Sequence, residues 1–379
     1  MYKICYIVTI PSTIEAFFVP QLRCLSKNGF DVTVICSESP DLQEKLGLSI
    51  CFKQIKIPRG ISVFGMLKAT YKLIVELKKN RYDIVQYSTP NASFCAALAS
   101  KIACVKVRNY HLMGFRYIGS SGIKKHILKL FEKITCQLST SIECVSFSNL
   151  KFGIDEKIFG ASKVCVVWNG SSGGVDLTRF NYMKREIWRK ELREKFGYTD
   201  KDFIYGFVGR ITGDKGINEL LEAFFSLNIE DSKLFIIGNI ENVKSIDSLL
   251  WKRALKSSKV RIHQSVKDIE RYYALMDVLI LPSYREGFGN VVIEAAAVGT
   301  PAIVTNIPGP IDAVLKNQTA LVCKVKDVDD LTNAMKNIQK DQYNKMGLQA
   351  YKYVMKKFDS TILCDAVLKR KKLLVSESN

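Results

Sequence analysis

The chain predicts an α/β architecture: two doubly wound domains with a ligand cleft between them. Three observations predict it. Short runs rich in β-branched residues alternate with helix-like segments along most of the 379 residues. That is the pattern of parallel strands covered on both faces. The segment NGSSGGVD, Asn169 to Asp176, interrupts the alternation near the midpoint with five Gly or Ser in eight residues, as a hinge would. The length also exceeds that of one typical domain.

In the first half, residues 3–9, 31–37, 83–88, 106–110, 142–146 and 164–168 read as strands. Each is short, apolar and bounded by polar or turn-forming residues. Between them, 18–28, 65–80, 92–104 and 123–138 show helical spacing of apolar side chains. Residues 9–14 leave the first strand and start a helix, with Ser12 and Thr13 as its caps.

In the second half, strands are expected at 203–208, 234–237, 261–263, 278–282 and 302–304. Helices are expected at 216–227, 246–256 and 268–276, with another starting near Asn290. A helical tail runs from about 329 to 374. The boundaries expected are 1–170, 171–350 and a C-terminal helical segment, 351–379, packing back on the N-terminal domain.

Composition narrows the function. There are 56 Lys and Arg against 37 Asp and Glu, a net charge of +19. Residues 1–170 hold 23 basic and 11 acidic residues, so the N-terminal half leans toward an anionic partner. No nucleic-acid module and no aromatic platform interleaved with basic residues accompanies the charge, which argues against nucleic acid. The eleven cysteines, Cys36 and Cys104 among them, show no C-x-x-C spacing, and there are three histidines. They read as reduced core residues of a cytosolic protein, with no metal site. The opening MYKICYIVTI is too short for a membrane span and lacks a signal peptide's n-region and cleavage site. The turn after it has no G-x-G-x-x-G, so a dinucleotide oxidoreductase is excluded at its defining element.

The chemistry concentrates at two strand ends of the second half. FVGRITGDKG places Gly209, Arg210 and Lys215 in a glycine-rich loop after a strand. Arg offers a planar donor fork and Lys a point charge, both suited to a diphosphate. REGFGNVVIEAAAVGTPAIVT places Glu286 before the turn Gly287, Phe288, Gly289 and Asn290, with Glu294 one turn into the helix that follows. Backbone amides at a helix start attract an anion, and glycine allows close approach. Carboxylates beside that anion cannot neutralise it, but they accept hydrogen bonds from hydroxyls. Hydroxyls at both ends of a central diphosphate describe a nucleoside diphosphate sugar.

GRITGDKG followed by EGFGNVVIEAAAVGTPAIVT resembles the retaining glycosyltransferases of family 4, which have the GT-B fold of two Rossmann-like domains. NGSSGGVD and TIPSTIEAFFVPQL resemble the corresponding segments of the bacterial capsule and lipid-linked oligosaccharide members, whose usual form has Asn where Gly173 stands. The resemblance implies that Glu286 and the backbone of Gly287 to Asn290 hold the donor sugar. Glu294 then binds the ribose hydroxyls, and Arg210 and Lys215 bind the diphosphate. It implies same-face attack through an oxocarbenium-like species, with the departing phosphate oxygen taking the acceptor proton. Glu286 as a covalent nucleophile is the alternative chemistry. His111, after the strand at 106–110, matches approximately a first-domain histidine near the donor sugar or acceptor, or else it caps a local loop. His126 reads as exposed, and His263 as near the base. Many relatives carry Gly-Gly after the first strand, and this chain has Ile10-Pro11-Ser12-Thr13, which argues against a phosphate role for that loop and for one in shaping the acceptor site.

The reaction expected is transfer of a hexose or N-acetylhexosamine from a UDP sugar to a lipid-linked saccharide in bacterial surface-polysaccharide synthesis. No cofactor or metal is expected. The D-x-D in DVDD, Asp327 to Asp330, reads as a helix cap with an acidic first turn. A catalytically inactive nucleotide-sugar-binding protein is the alternative. A cytoplasmic location is expected, with peripheral contact to an anionic membrane through Gly122–Leu138, whose lysines flank an apolar stripe, and through Lys369, Arg370, Lys371 and Lys372. The alternative for Gly122–Leu138 is a core-packed helix with a solvated lysine face.

Overall fold

A computed structural model describes residues 1–60, 62–338 and 343–378. The chain divides into two compact units. One comprises residues through Gly173 together with those from Ser360 onward, and the other Gly174–Asp359.

The first unit begins β1 (Tyr2–Ile7), α1 (Pro11–Phe17), α2 (Val19–Lys27), β2 (Phe30–Cys36), α3 (Leu42–Leu46), β3 (Ile50–Gln54) and α4 (Val63–Asn80). It continues β4 (Ile84–Tyr87), α5 (Pro90–Ile102), β5 (Val107–Leu112), α6 (Gly122–Leu138), β6 (Ser141–Cys144), α7 (Phe147–Asp155) and β7 (Val164–Val166). The strands form one parallel sheet in the order β3-β2-β1-β4-β5-β6-β7. Both faces are covered. On one, α4, α5 and α6 pack successively over a core that includes Leu73, Val85, Ala96 and Ile142. On the other, α2 covers Ile4, Val32 and Val34 with Leu22 and Leu25.

The second unit runs α8 (Arg185–Phe196), β8 (Phe203–Val208), α9 (Ile217–Ser226), β9 (Ser232–Ile237), α10 (Ser248–Lys256), β10 (Val260–His263) and α11 (Ile269–Leu275). There follow β11 (Val278–Leu281), α12 (Asn290–Ala297), β12 (Ala302–Thr305), β13 (Ala320–Cys323), α13 (Val328–Ile338) and α14 (Tyr343–Lys357). Its sheet is also parallel, in the order β10-β9-β8-β11-β12-β13. A central strand such as VLIL, β11, is buried throughout, as a sheet covered on both faces requires. The last helix, α15 (Ser360–Ser376), packs on α2 of the first unit.

Several expectations are corrected. The edge strands β3 and β13 escaped the sequence reading because ICFKQ and ALVC are half-exposed and weakly patterned. The helices α7 and α8 were also missed; Ser146 caps α7 by accepting from the Asn149 amide. Ser12 and Thr13 lie inside α1, whose start is set by Pro11 at its first position with Ile10 at the cap. Cys104 is exposed in a left-handed conformation just after α5. His111 sits within β5, one residue beyond the expected strand end. The helical tail is broken at Phe358 and Asp359, where Val175 bonds to the Phe358 carbonyl; residues 339–342 of it lie outside the described residues. Only part of the basic run is a free surface: Lys369 and Lys372 are exposed, but Lys371 is fully buried on Glu143, with both carboxylate oxygens at 2.7 and 2.8 Å, and Arg370 bonds Ser141. Helical spacing turns that position of α15 toward the sheet.

Candidate active site

In the six-stranded sheet, β8 and β11 are adjacent and parallel. The strands that follow each lie outward in opposite directions. Loops at such a reversal diverge and leave a crevice at the carboxyl ends of the strands. The loop after β8 carries Gly209, Arg210 and Lys215. The loop after β11 carries Glu286, Gly287, Phe288 and Gly289, and α12 opens on Asn290 with Glu294 further along it.

Three contacts lock the two loops together. The Tyr284 amide donates to the Asp214 carbonyl at 3.0 Å. Arg285 pairs with the Asp214 carboxylate at 2.8 Å. Gly216, at φ +73°, lies so close to Pro282 that a Cβ would stand 2.1 Å from its carbonyl oxygen. Burial pushes the Asp214 carboxyl up, but the Thr212 hydroxyl and the charges of Arg285, Arg210 and Lys215 hold it below the usual carboxylate range. Asp214 therefore marks where the cations converge.

The locked loops bring Lys215 and Glu286 together. Nζ of Lys215 donates to Oε1 of Glu286 at 2.5 Å, and both side chains are largely buried. The Ser283 hydroxyl donates to the same oxygen at 2.9 Å. Arg210 is half-exposed and pairs with Glu241 at 3.1 Å. Glu294 accepts from the Tyr273 hydroxyl at 2.8 Å. Burial raises its carboxyl above the usual range, and Tyr273 and Arg179 only partly oppose that. Phe288 is buried edge-on against Phe358, at 5.3 Å between ring centres, so its side chain belongs to the core and its backbone alone can serve a ligand. Gly289 takes the left-handed conformation at the entry to α12. Away from this crevice, Asp327 accepts from the Asp330 amide at 2.9 Å and so caps α13.

His111 lies in the other unit, 8% exposed, with Nδ1 3.9 Å from Glu143 and neither ring nitrogen hydrogen-bonded. Burial lowers its pKa from the ordinary 6.5, and Glu143 opposes that. His126 is exposed on α6, and His263 stacks on Phe235 at 6.1 Å. Sequence reasoning missed Ser283, Tyr273, Asp214, Arg285 and Glu143. Asp214 and Arg285 directly flank chosen residues, so the signal for them was adjacency. Glu143, within SIEC, offered none.

Residues 16–172 match the family described as Glycosyltransferase Family 4, and residues 189–353 match Glycosyl transferases group 1. The capsular polysaccharide biosynthesis glycosyltransferase CapM of Staphylococcus aureus is 31% identical over 366 residues, covering 95% of this chain and 94% of that one. An Escherichia coli UDP-Gal:alpha-D-GlcNAc-diphosphoundecaprenol alpha-1,3-galactosyltransferase is 26% identical, covering 90% and 88%. Among solved structures, HepE of Anabaena in complex with UDP superposes with a TM-score of 0.79 at 16% identity, covering 98% of this chain and all of that one. Matched in both halves and similar over nearly its whole length to one such enzyme, the chain belongs to the family 4 glycosyltransferases of the GT-B fold.

Proposed function

We propose that this glycosyltransferase moves a hexose or N-acetylhexosamine, with retention of configuration, from a UDP sugar to a lipid-linked saccharide in bacterial surface-polysaccharide assembly. The observation that carries the reading is the buried Lys215–Glu286 contact at the reversal between β8 and β11, with Arg210 on the same loop. Lys215 and Arg210 take the diphosphate. The backbone from Gly287 to Asn290 and the Glu286 carboxylate take the sugar, Glu294 the ribose, and His111 a hydroxyl of the donor sugar or acceptor. The bond from the anomeric carbon to the β-phosphate oxygen breaks as the acceptor oxygen bonds to that carbon on the same face. The acceptor proton passes to the leaving phosphate. Catalysis then rests on stabilising leaving-group charge, the part a fixed cation plays best. UDP and a lipid diphosphate acceptor are supported by the wording of the E. coli relative's name and by the HepE complex with UDP.

A screen of UDP and GDP sugars for binding and slow hydrolysis, run with and without EDTA, tests this. A UDP sugar is expected to be hydrolysed equally in both. Turnover restricted to GDP sugars, or collapse in EDTA, overturns the donor or the metal-independent chemistry. Binding without any turnover, with an acceptor panel included, favours an inactive nucleotide-sugar-binding protein.

The acceptor lipid places the enzyme at a membrane surface on the cytoplasmic side. No helix among the described residues is long and apolar enough to cross a membrane. Two helices of the first unit, both packed on α5, instead leave apolar side chains in solvent. On α6, Ile123, Ile127 and Leu130 are exposed beside Lys124 and Lys125. Leu128, Glu132, Thr135 and Cys136 form its buried side, packed on the core, so the exposed apolar side chains lie on the opposite, lysine-bearing side. On α4, Phe64, Leu67, Tyr71 and Val75 form an exposed stripe beside Lys68 and Lys72, with Phe64 87% exposed. Lysines around apolar side chains suit an anionic bilayer, each basic residue adding about 1 kcal/mol. Flotation with anionic liposomes is expected to carry the protein at low salt and release most of it at high salt. Phe64→Ser with Ile123→Ser should weaken it at least tenfold. Binding that ignores salt and both substitutions removes this face from the reading.

A further inference from the structure

The first unit buries a charged cluster that the donor crevice does not use. The parallel register of β5 and β6 sets His111 beside Glu143. Lys371, five residues before the end of α15, reaches the same carboxylate with bonds of 2.7 and 2.8 Å, and the Arg370 Nε lies 3.7 Å away. Both oxygens of Glu143 are thus taken by the lysine, and the imidazole keeps 3.9 Å. The two ring nitrogens remain without a partner, beside a small cavity lined by Gln21, Glu143, Ser171 and Ser172. The other groups around the ring are Phe18, edge-on at 5.2 Å, and Tyr6, whose ring meets Phe18. Cys165, on β7, lies in the field of Glu143 and Lys371.

We propose that Lys371 and Glu143 are positioning residues for His111: the lysine occupies the glutamate, so the imidazole stays neutral and its nitrogens keep their hydrogen-bonding capacity for the reaction. The proposal rests on the reading of His111 as a group of the reaction. A carboxylate at hydrogen-bond range would favour the imidazolium. A carboxylate already paired with an ammonium exerts far less pull. Burial raises the Glu143 carboxyl, but Lys371 and the imidazole outweigh it and keep it well below the usual range. Burial works against the charge on Lys371, and Glu143 holds it there. Together they present His111 with a nearly neutral pair. An ammonium missing from that pair shifts the balance toward a proton on the ring.

The chain has three histidines, so ring titrations by NMR separate easily, with His111→Gln assigning the signal. In the native enzyme the His111 ring is expected to titrate below pH 6.5, its ordinary midpoint. Lys371→Met should raise its midpoint by about one unit or more and carry the acid limb of kcat/KM upward with it. Lys371→Arg should restore both, and so should Lys371→Met combined with Glu143→Gln, which removes both charges. Native His111 titrating at its ordinary midpoint, or a Lys371→Met enzyme with an unmoved ring and acid limb, overturns the proposal. If Lys371→Met does not fold, the native titration and the double variant decide. Full activity in His111→Gln sinks instead the role of His111 in the reaction, while the ring titrations still test the electrostatic arrangement.

Discussion

Replacing Lys215 with methionine is expected to lower kcat/KM for the nucleotide sugar by two to three decades, about 3–4 kcal/mol of transition-state stabilisation. Most of the loss should fall on kcat. The ammonium is fixed by the turn after β8 and held by Glu286 at 2.5 Å, with little solvent around either side chain. Its charge is therefore already in place when negative charge grows on the departing phosphate, and no reorganisation is needed. Methionine fills the space without the charge. It also leaves Glu286 without its ammonium, so a carboxylate no longer balanced by that charge faces the same phosphate. Part of the damage is thus repulsion, and Lys215→Met with Glu286→Gln should recover part of it. Single-turnover and steady-state kinetics on the four combinations measure the coupling. Arg210→Ala should cost less, because that side chain is half-exposed and pairs with Glu241 in solvent. A Lys215→Met enzyme within threefold of the native rate would remove the cation from the chemistry.

Much of this site was legible in the sequence, for a physical reason. Glycine-rich turns after buried strands, with Arg210, Lys215 and Glu286 inside them, are local features, and a local pattern is what a sequence displays. Lys215 and Glu286 were singled out separately, 71 positions apart, and the structure joins them. The adjacency of β8 and β11 does the joining, and it is a property of sheet order that no single stretch contains. The same limit explains the errors. Lys371 looked like one charge in a surface run because its partner Glu143 is 228 residues away. Ser12 and Thr13 have capping side chains, but Pro11 already fixes the helix start, and a proline's constraint on φ outranks a cap. Phe288 looked like part of a ligand turn, and Phe358, the ring that claims it, comes from beyond the end of α14.

Gly216→Ala is the second substitution with a large expected effect, and it acts without touching charge. Gly216 stands between the turn holding Lys215 and the start of α9, at φ +73°. An L side chain there costs about 1 kcal/mol or more from conformation alone. Space adds the greater part, because the new Cβ would meet the Pro282 carbonyl oxygen at 2.1 Å and its carbon at 2.7 Å. Those atoms are backbone and cannot swing aside as a side chain would. Relief requires the loop after β8 to retreat from the loop after β11. That retreat strains the Tyr284–Asp214 bond and draws Lys215 off Glu286. A displacement near 1 Å at a positioned charge is enough to cost roughly a hundredfold in rate. Gly216→Ala is therefore expected to lose about two decades or more in kcat/KM, with a lower thermal midpoint. Gly197→Ala is the matched control: it has the same sign of φ, +72°, and open space around the added Cβ. It should share the conformational penalty and leave catalysis intact. Equal losses in the two variants would mean that backbone conformation alone accounts for the effect, and that the contact between the two loops does not govern the site.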